Sequence, residues 1–182
     1  MIFAAIVMMA GFTTTVVAQT SASETTNAGA QLIVPMTLSQ TSPLHFGNIT
    51  LVDASGGTVI LSTANGRTIT GAGVSLTTGA ALPTSTNATY DVTGTYNETY
   101  ALTLPETITV TETLATAGVN TMDITALTVL FNGGAEETGV GATSTLSASG
   151  ADDFIVGGTL TVALDQIGGI YAGTFPVSVD YN

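Results

Sequence analysis

The stretch GGIYAGTFPVSVDYN, residues 168–182, stands last in the sequence and decides how the rest is read. Tyr171, Gly173, Phe175, Val177, Val179 and Tyr181 take every second position, with Ala172, Thr174, Pro176, Ser178 and Asp180 between them. A period of two marks a β-strand with one face on a core, because successive side chains leave a strand on opposite sides. A chain end without a structural task is usually polar and irregular. This one is patterned up to Tyr181, so the expectation is a strand inside a sheet, with Phe175, Val177, Val179 and Tyr181 turned inward.

The same signature recurs upstream. Leu32, Val34, Met36 and Leu38 share one face of residues 31–40, where Pro35 marks an edge strand or a bulge because it has no N–H. Residues 44–51 read as a short strand kinked at Gly47-Asn48. Beta-rich runs at 58–63 and 67–70 flank Ala64-Asn65-Gly66, and Asn-Gly in that setting is a hairpin signal. Further runs lie at 88–94, 99–104, 107–113 and 121–133, with a surface loop expected at 134–141. Residues 144–150 read as another short run, and residues 152–158 and 159–165 as two more separate segments. No stretch sustains a helical apolar period over three turns.

Composition agrees. Of 182 residues 36 are Thr and 21 are Gly; apolar residues make 45% and charged residues only 8%. Thr favours strands, Gly supplies turns, and the apolar fraction is too high for a disordered chain. The fold expected is an all-β, immunoglobulin-like sandwich of about seven to ten strands. Its expected core is Leu32, Val34, Leu38, Phe46, Ile60, Tyr90, Val92, Tyr100, Leu102, Ile108, Val110, Leu127, Val129, Phe131, Leu160 and Val162, together with the four inward residues of the terminal strand.

Charge excludes several functions. Thirteen acidic residues face Arg67 alone, with no Lys, for a formal net charge of −12. Such a surface repels phosphate backbones, so no nucleic acid is expected as a partner. The bland account of the charge is solubility, and specific cation binding is the sharper one. The absence of Cys removes disulfides, thiol catalysis and Cys-ligated metals. His45 is the only His, which leaves a nucleophile triad without a spare base. Glu136-Glu137 and Asp152-Asp153 are paired in sequence, but glycosidases need carboxylates facing across a cleft. No EF-hand spacing occurs. Arg67 is expected in a surface or cross-strand ion pair. The N-x-[ST] triplets at Asn48, Asn87 and Asn97 carry no weight in so Thr-rich a chain. The chain reads as a non-enzyme without catalytic residues, cofactor or metal.

The apolar run over residues 1–12, followed by Val16-Val17-Ala18, fits a secretory signal peptide of residues 1–18. Because a basic n-region is missing, the true start is expected upstream of Met1. Residues 19–29 read as a flexible mature N-terminus and residues 30–182 as the sandwich domain. No other segment could span a bilayer as a helix, so no membrane span is expected after signal cleavage.

Three segments carry a resemblance. The alternation ending at Tyr181, with Gly169 fourteenth from the end, resembles the C-terminal motif of chaperone–usher pilus subunits. LHFGN, residues 44–48, looks like the L-x-F-G-N segment of spore-coat-U-like and related fimbrial adhesin domains. GGTLTV, residues 157–162, followed by the pattern of residues 169–182, is similar to a secreted bacterial family known only as a domain of unknown function and related to those sandwiches. The resemblance covers residues 29–182. It implies a secreted or cell-surface structural protein of a Gram-negative bacterium, reaching the surface through the periplasm. Such a protein would be a cell-adhesion or pilus-like subunit assembled by strand complementation. It further implies self-assembly or other pilus subunits as partners, and a periplasmic chaperone. The assembly and chaperone strand would comprise Gly169, Tyr171, Gly173, Phe175, Val177, Val179 and Tyr181.

The chain departs from that pattern in two ways. It lacks the Cys pair of many pilins, and residues 19–29 are too polar to fill a groove. Either residues 32–38 double as the donor, or the sandwich is complete by itself. A monomeric surface module binding carbohydrate or Ca2+ is the alternative. Intact-mass analysis of the exported protein should show a chain beginning at Gln19; retention of residues 1–18 would contradict the leader.

Overall fold

The computed structural model describes residues 21–77, 79, 82–114 and 117–182. The leader expected at residues 1–18 lies outside the described residues. The chain divides into two units, residues 1–32 and 33–182. In the first, residues 21–32 are exposed and carry no strand. The second is an all-β sandwich, with no helix among the described residues.

Its strands are β1 (Thr37–Ser42), β2 (Ile49–Leu51), β3 (Gly57–Leu61), β4 (Arg67–Thr70), β5 (Val74–Leu76), β6 (Ala88–Thr93) and β7 (Thr99–Thr103). Then follow β8 (Ile108–Glu112), β9 (Thr121–Phe131), β10 (Glu137–Thr138), β11 (Thr143–Thr145), β12 (Ala151–Val162), β13 (Tyr171–Ala172) and β14 (Ser178–Tyr181). The large sheet runs β1-β6-β12-β9-β8-β13, with β10 added to β9 and the β3–β4 hairpin added to β12. A three-stranded sheet, β11-β7-β14, and a two-stranded pair, β2-β5, complete the sandwich. All these strand pairs are antiparallel.

Strand β12 organises the large sheet. Along one edge it pairs with β9, from Phe154↔Phe131 to Thr161↔Asp123. Its other edge serves β6 over residues 151–156 and β3 over residues 158–162. Where those two strands meet end to end, the buried Asn87 amide donates to the carbonyls of Ser62 (2.9 Å) and Val156 (3.1 Å). A side chain there replaces the ladder donors that a continuous strand would have supplied. The sequence divides this strand in two because Gly157-Gly158 resembles a break. These glycines instead permit close approach: a Cβ on Gly158 would lie 2.9 Å from Leu127 Cδ2. They face a register shift in β9, where Ala126 takes φ 47°. That is a β-bulge, and it bends the pair.

The core is aromatic at its centre. Phe154 stacks on Tyr90 at 5.0 Å between centroids and lies 5.8 Å from Phe131, which meets Tyr100 edge-on at 6.0 Å. Tyr100 belongs to the small sheet and the others to the large one, so this cluster joins the two layers. The Thr residues are laid out in rows on the outer face. Thr70, Thr58, Thr161, Asp123 and Thr109 lie side by side across β4, β3, β12, β9 and β8. Hydroxyl contacts link Thr37 to Thr93, Thr41 to Thr89 and Thr109 to Asp123.

Several expectations are corrected. Leu32 and Val34 are exposed, and the ladder of the first strand begins only at Thr37. In the run TVIL the phase is one residue off: Val59 and Leu61 are fully buried and Ile60 is 39% exposed. A continuous apolar run has no alternation from which to read its inward face. The loop expected at 134–141 contains the two-residue strand β10. The hairpin at Asn65-Gly66 forms as expected, with Asn65 at φ 59°.

Asn87→Ala should cost about 1–3 kcal/mol, since two buried carbonyls lose their donor, whereas Ile60→Ala should cost less than about 1 kcal/mol in urea unfolding. A second expectation concerns acid. Glu136 accepts the Thr63 hydroxyl and the Thr63 N–H (3.0 Å), which hold its carboxyl below the ordinary value of 4.5. The folded-state value lies below the unfolded one. Its contribution is therefore complete above pH 4.5 and is lost as pH falls through the folded-state value. The melting-temperature gap between the natural chain and Glu136→Gln should close on acidification below that point.

Candidate functional site

The terminal segment belongs to both layers. Tyr171 and Ala172, in β13, pair with Glu112 and Thr111 of the large sheet. Ser178 to Tyr181, in β14, pair with Thr103 to Tyr100 of the small one. Residues 173–177 form no ladder. Pro176 there has no N–H to give. The expected single strand is thus a crossing from one sheet to the other. Alternation survives the crossing: Phe175, Val177, Val179 and Tyr181 pack on the core, and Pro176, Ser178 and Asp180 are exposed. The inward four are only half-buried; two of them, Val179 and Tyr181, lie in β14, which among the described residues is the last strand of its sheet.

The seven residues expected to form one functional strand do lie along one segment, though as two parts. Gly169, Tyr171, Gly173 and Phe175 border two adjoining clefts, of about 300 and 220 Å³. Val179 and Tyr181 lie in the open-edged strand β14, and Val177 stands just before it in the crossing. Gly169 and Gly173 are required by close approach. A Cβ on Gly169 would strike the buried Glu112 side chain, and one on Gly173 would strike the Thr109 carbonyl. The clefts share Leu44, His45, Val110, Ile124 and Tyr171. Met122 and Leu160 deepen the larger one, with Ile167 and Ile170 at its rim. The alternation places Val110 and Leu160 in the core without showing that a cleft passes over them. Ile167 and Ile170 lie in an irregular stretch and have no sequence signal.

The far wall is the LHFGN segment, and its residues explain its geometry. Phe46 is buried, and His45 bridges to Thr86 through backbone hydrogen bonds of 2.8 Å in both directions. Gly47 turns left-handed at φ 74°, donating its N–H to His45 Nδ1 (2.8 Å). Asn48 Nδ2 donates to the Pro83 carbonyl (2.9 Å). Arg67 does not form the expected ion pair: its guanidinium donates to the carbonyls of Phe46 (2.9 Å) and Asn48 (3.1 Å). A Cβ on Gly47 would fall 2.7 Å from that guanidinium. The single Arg is a clamp on a cleft wall.

Gln166 closes the end of the larger cleft. It donates to the Val119 carbonyl and the Tyr171 hydroxyl, each at 2.7 Å, and Tyr171 donates in turn to the Ile167 carbonyl (2.7 Å). At the other end of the segment the Tyr181 hydroxyl donates to the Val34 carbonyl and accepts the Thr95 N–H, each at 2.6 Å.

The paired acids take separate structural positions. Asp152 accepts the Tyr100 hydroxyl (2.9 Å) and the Ser144 hydroxyl (2.7 Å). Burial, then that carboxylate, push the Tyr100 phenol well above its ordinary range. Asp153 is exposed opposite Asp91. Glu136 holds Thr63, and Glu137 lies in β10. Among the described residues no group of three or more His, Asp or Glu could hold a metal ion.

The model of one protein family, a domain of unknown function (DUF4402), matches residues 36–181. No curated protein matches the chain.

Val177→Asp should abolish soluble expression or lower the melting temperature sharply, because it buries charge at an apolar position. Ser178→Asp, one residue on and facing solvent, should leave the melt within a few degrees.

Proposed function

The chain belongs to the DUF4402 family, and on that premise we propose that it is a non-catalytic structural protein of the bacterial surface, a subunit joined to its neighbours by strand complementation. Export through the periplasm of a Gram-negative bacterium, with a chaperone meeting the terminal strand on the way, belongs to the same proposal. It rests on the leader and on the likeness of residues 44–48 and 169–182 to fimbrial sandwiches.

One observation carries it. The domain has an edge strand, β14, whose inward side chains are half-covered, and the same chain holds a largely exposed apolar segment. Leu32, Ile33 and Val34 are 88, 62 and 54% exposed. An exposed sheet edge accepts an extended peptide through main-chain hydrogen bonds, and pockets for alternate side chains give selectivity. Residues 29–36, GAQLIVPM, carry no charge, so they can approach an acidic surface that would repel an acidic peptide. The occupant is this segment from a second copy, laid along residues 171–181. A contact of tail edge to head segment is heterologous and extends without closing.

Sedimentation of the chain from Gln19 should show association that grows with concentration, with filaments by electron microscopy. Deletion of residues 19–36 should give a monomer whose melting temperature rises when a peptide of residues 29–38 is added. A chain that remains monomeric, with a truncated form indifferent to the peptide, would overturn the reading.

A further inference from the structure

We infer that the Tyr181 hydroxyl is a latch holding residues 33–36 on their own domain, and so sets how readily that segment is released. Both backbone polar groups of Val34 are taken by two side chains. Its N–H donates to Thr95 Oγ1 (2.6 Å), and its carbonyl accepts the Tyr181 hydroxyl (2.6 Å). The same hydroxyl accepts the Thr95 N–H (2.6 Å), so one atom ties together the segment, the turn after β6 and the end of β14. The site is fitted to this atom. Thr95 is buried, and a Cβ on Gly94 would collide with the Tyr181 hydroxyl and with Cδ1 of the buried Leu146.

The bonds at Val34 matter because, ahead of Met36, which packs on the core, other attachments of residues 33–35 are sparse. Pro35 has no N–H, and the β1 ladder begins only at Thr37. Leu32, Ile33 and Val34 are largely exposed, so burial of their side chains gives the segment little hold. A hydrogen bond of ordinary net strength is then decisive, and its loss should raise the opening of residues 33–36 about tenfold. The consequence for assembly rests on the strand-complementation reading: a released segment is one that a second copy can take up.

Two variants of the chain from Gln19 separate the parts of this inference. Tyr181→Phe removes the hydroxyl and keeps the ring on the core; Gly94→Ala keeps the hydroxyl in the chain but displaces it together with Leu146 Cδ1, which the β12 amides control for. Hydrogen exchange of the Val34 amide should accelerate about tenfold in both, with the amides of Phe154 and Val156 unchanged. Sedimentation should then show association at about tenfold lower concentration. Unchanged exchange at Val34 in both variants would overturn the latch. Equal acceleration at Val34 and in β12 would overturn it too, by showing a loss of global stability. Local acceleration with no change in association would uphold the latch and overturn the strand-complementation reading.

Discussion

The large sheet depends on two strands sharing one edge of a third. β12 is long enough to hold both β6 and β3, but strands that abut leave carbonyls without ladder donors at the join. Asn87 fills that gap with one side-chain amide reaching Ser62 and Val156. Beside it, Gly157-Gly158 and the bulge at Ala126 let β9 and β12 bend together. The bend and the plug are one arrangement. Without the plug the join would be a buried row of unsatisfied groups, which an interior does not tolerate.

From that bent sheet the path of the terminal segment follows. It starts beside β8, crosses residues 173–177 without a ladder, and ends beside β7. The crossing ties the layers together at the chain's end. It also leaves an open edge, because among the described residues no strand pairs beyond β14. Completeness of the core and incompleteness of the edge therefore arise from the same residues. Phe175 and Val179 contribute to the core while presenting only part of their surface to it.

Local chemistry was legible in the sequence; partnership was not. The alternation at Phe175, Val177 and Val179 gave their inward face correctly, and Asn65-Gly66 gave a hairpin. Both signals are complete within a few residues. Leu32 and Val34 carry the same alternation and yet stand in solvent, since a pattern says which face is apolar and not whether another strand covers it. Gly157-Gly158 shows the converse limit. Two glycines read as a stop when their cause is close packing, Gly157 against the Leu61 carbonyl and Gly158 against Leu127, both far away in the chain. The clefts escape the sequence for a similar reason. Their walls come from residues 44–49, β8, β9 and residues 166–171, and no local signal records that these meet.

Arg67 has a role beyond the wall it clamps. The guanidinium of the chain's only Arg is occupied by the Phe46 and Asn48 carbonyls, with no ion pair among the described residues, and the chain has no Lys. Two copies therefore meet as like-charged polyanions, and repulsion acts well before any contact can form. That field reaches about 8 Å at physiological ionic strength and about 30 Å in dilute buffer. Attraction between apolar surfaces begins only at contact. Salt, by shortening the repulsion without weakening apolar burial, works here in the sense opposite to its usual effect on charge-steered encounters. The acidic surface is in this sense a kinetic barrier to chance encounter, lowest in a saline medium and highest in fresh water.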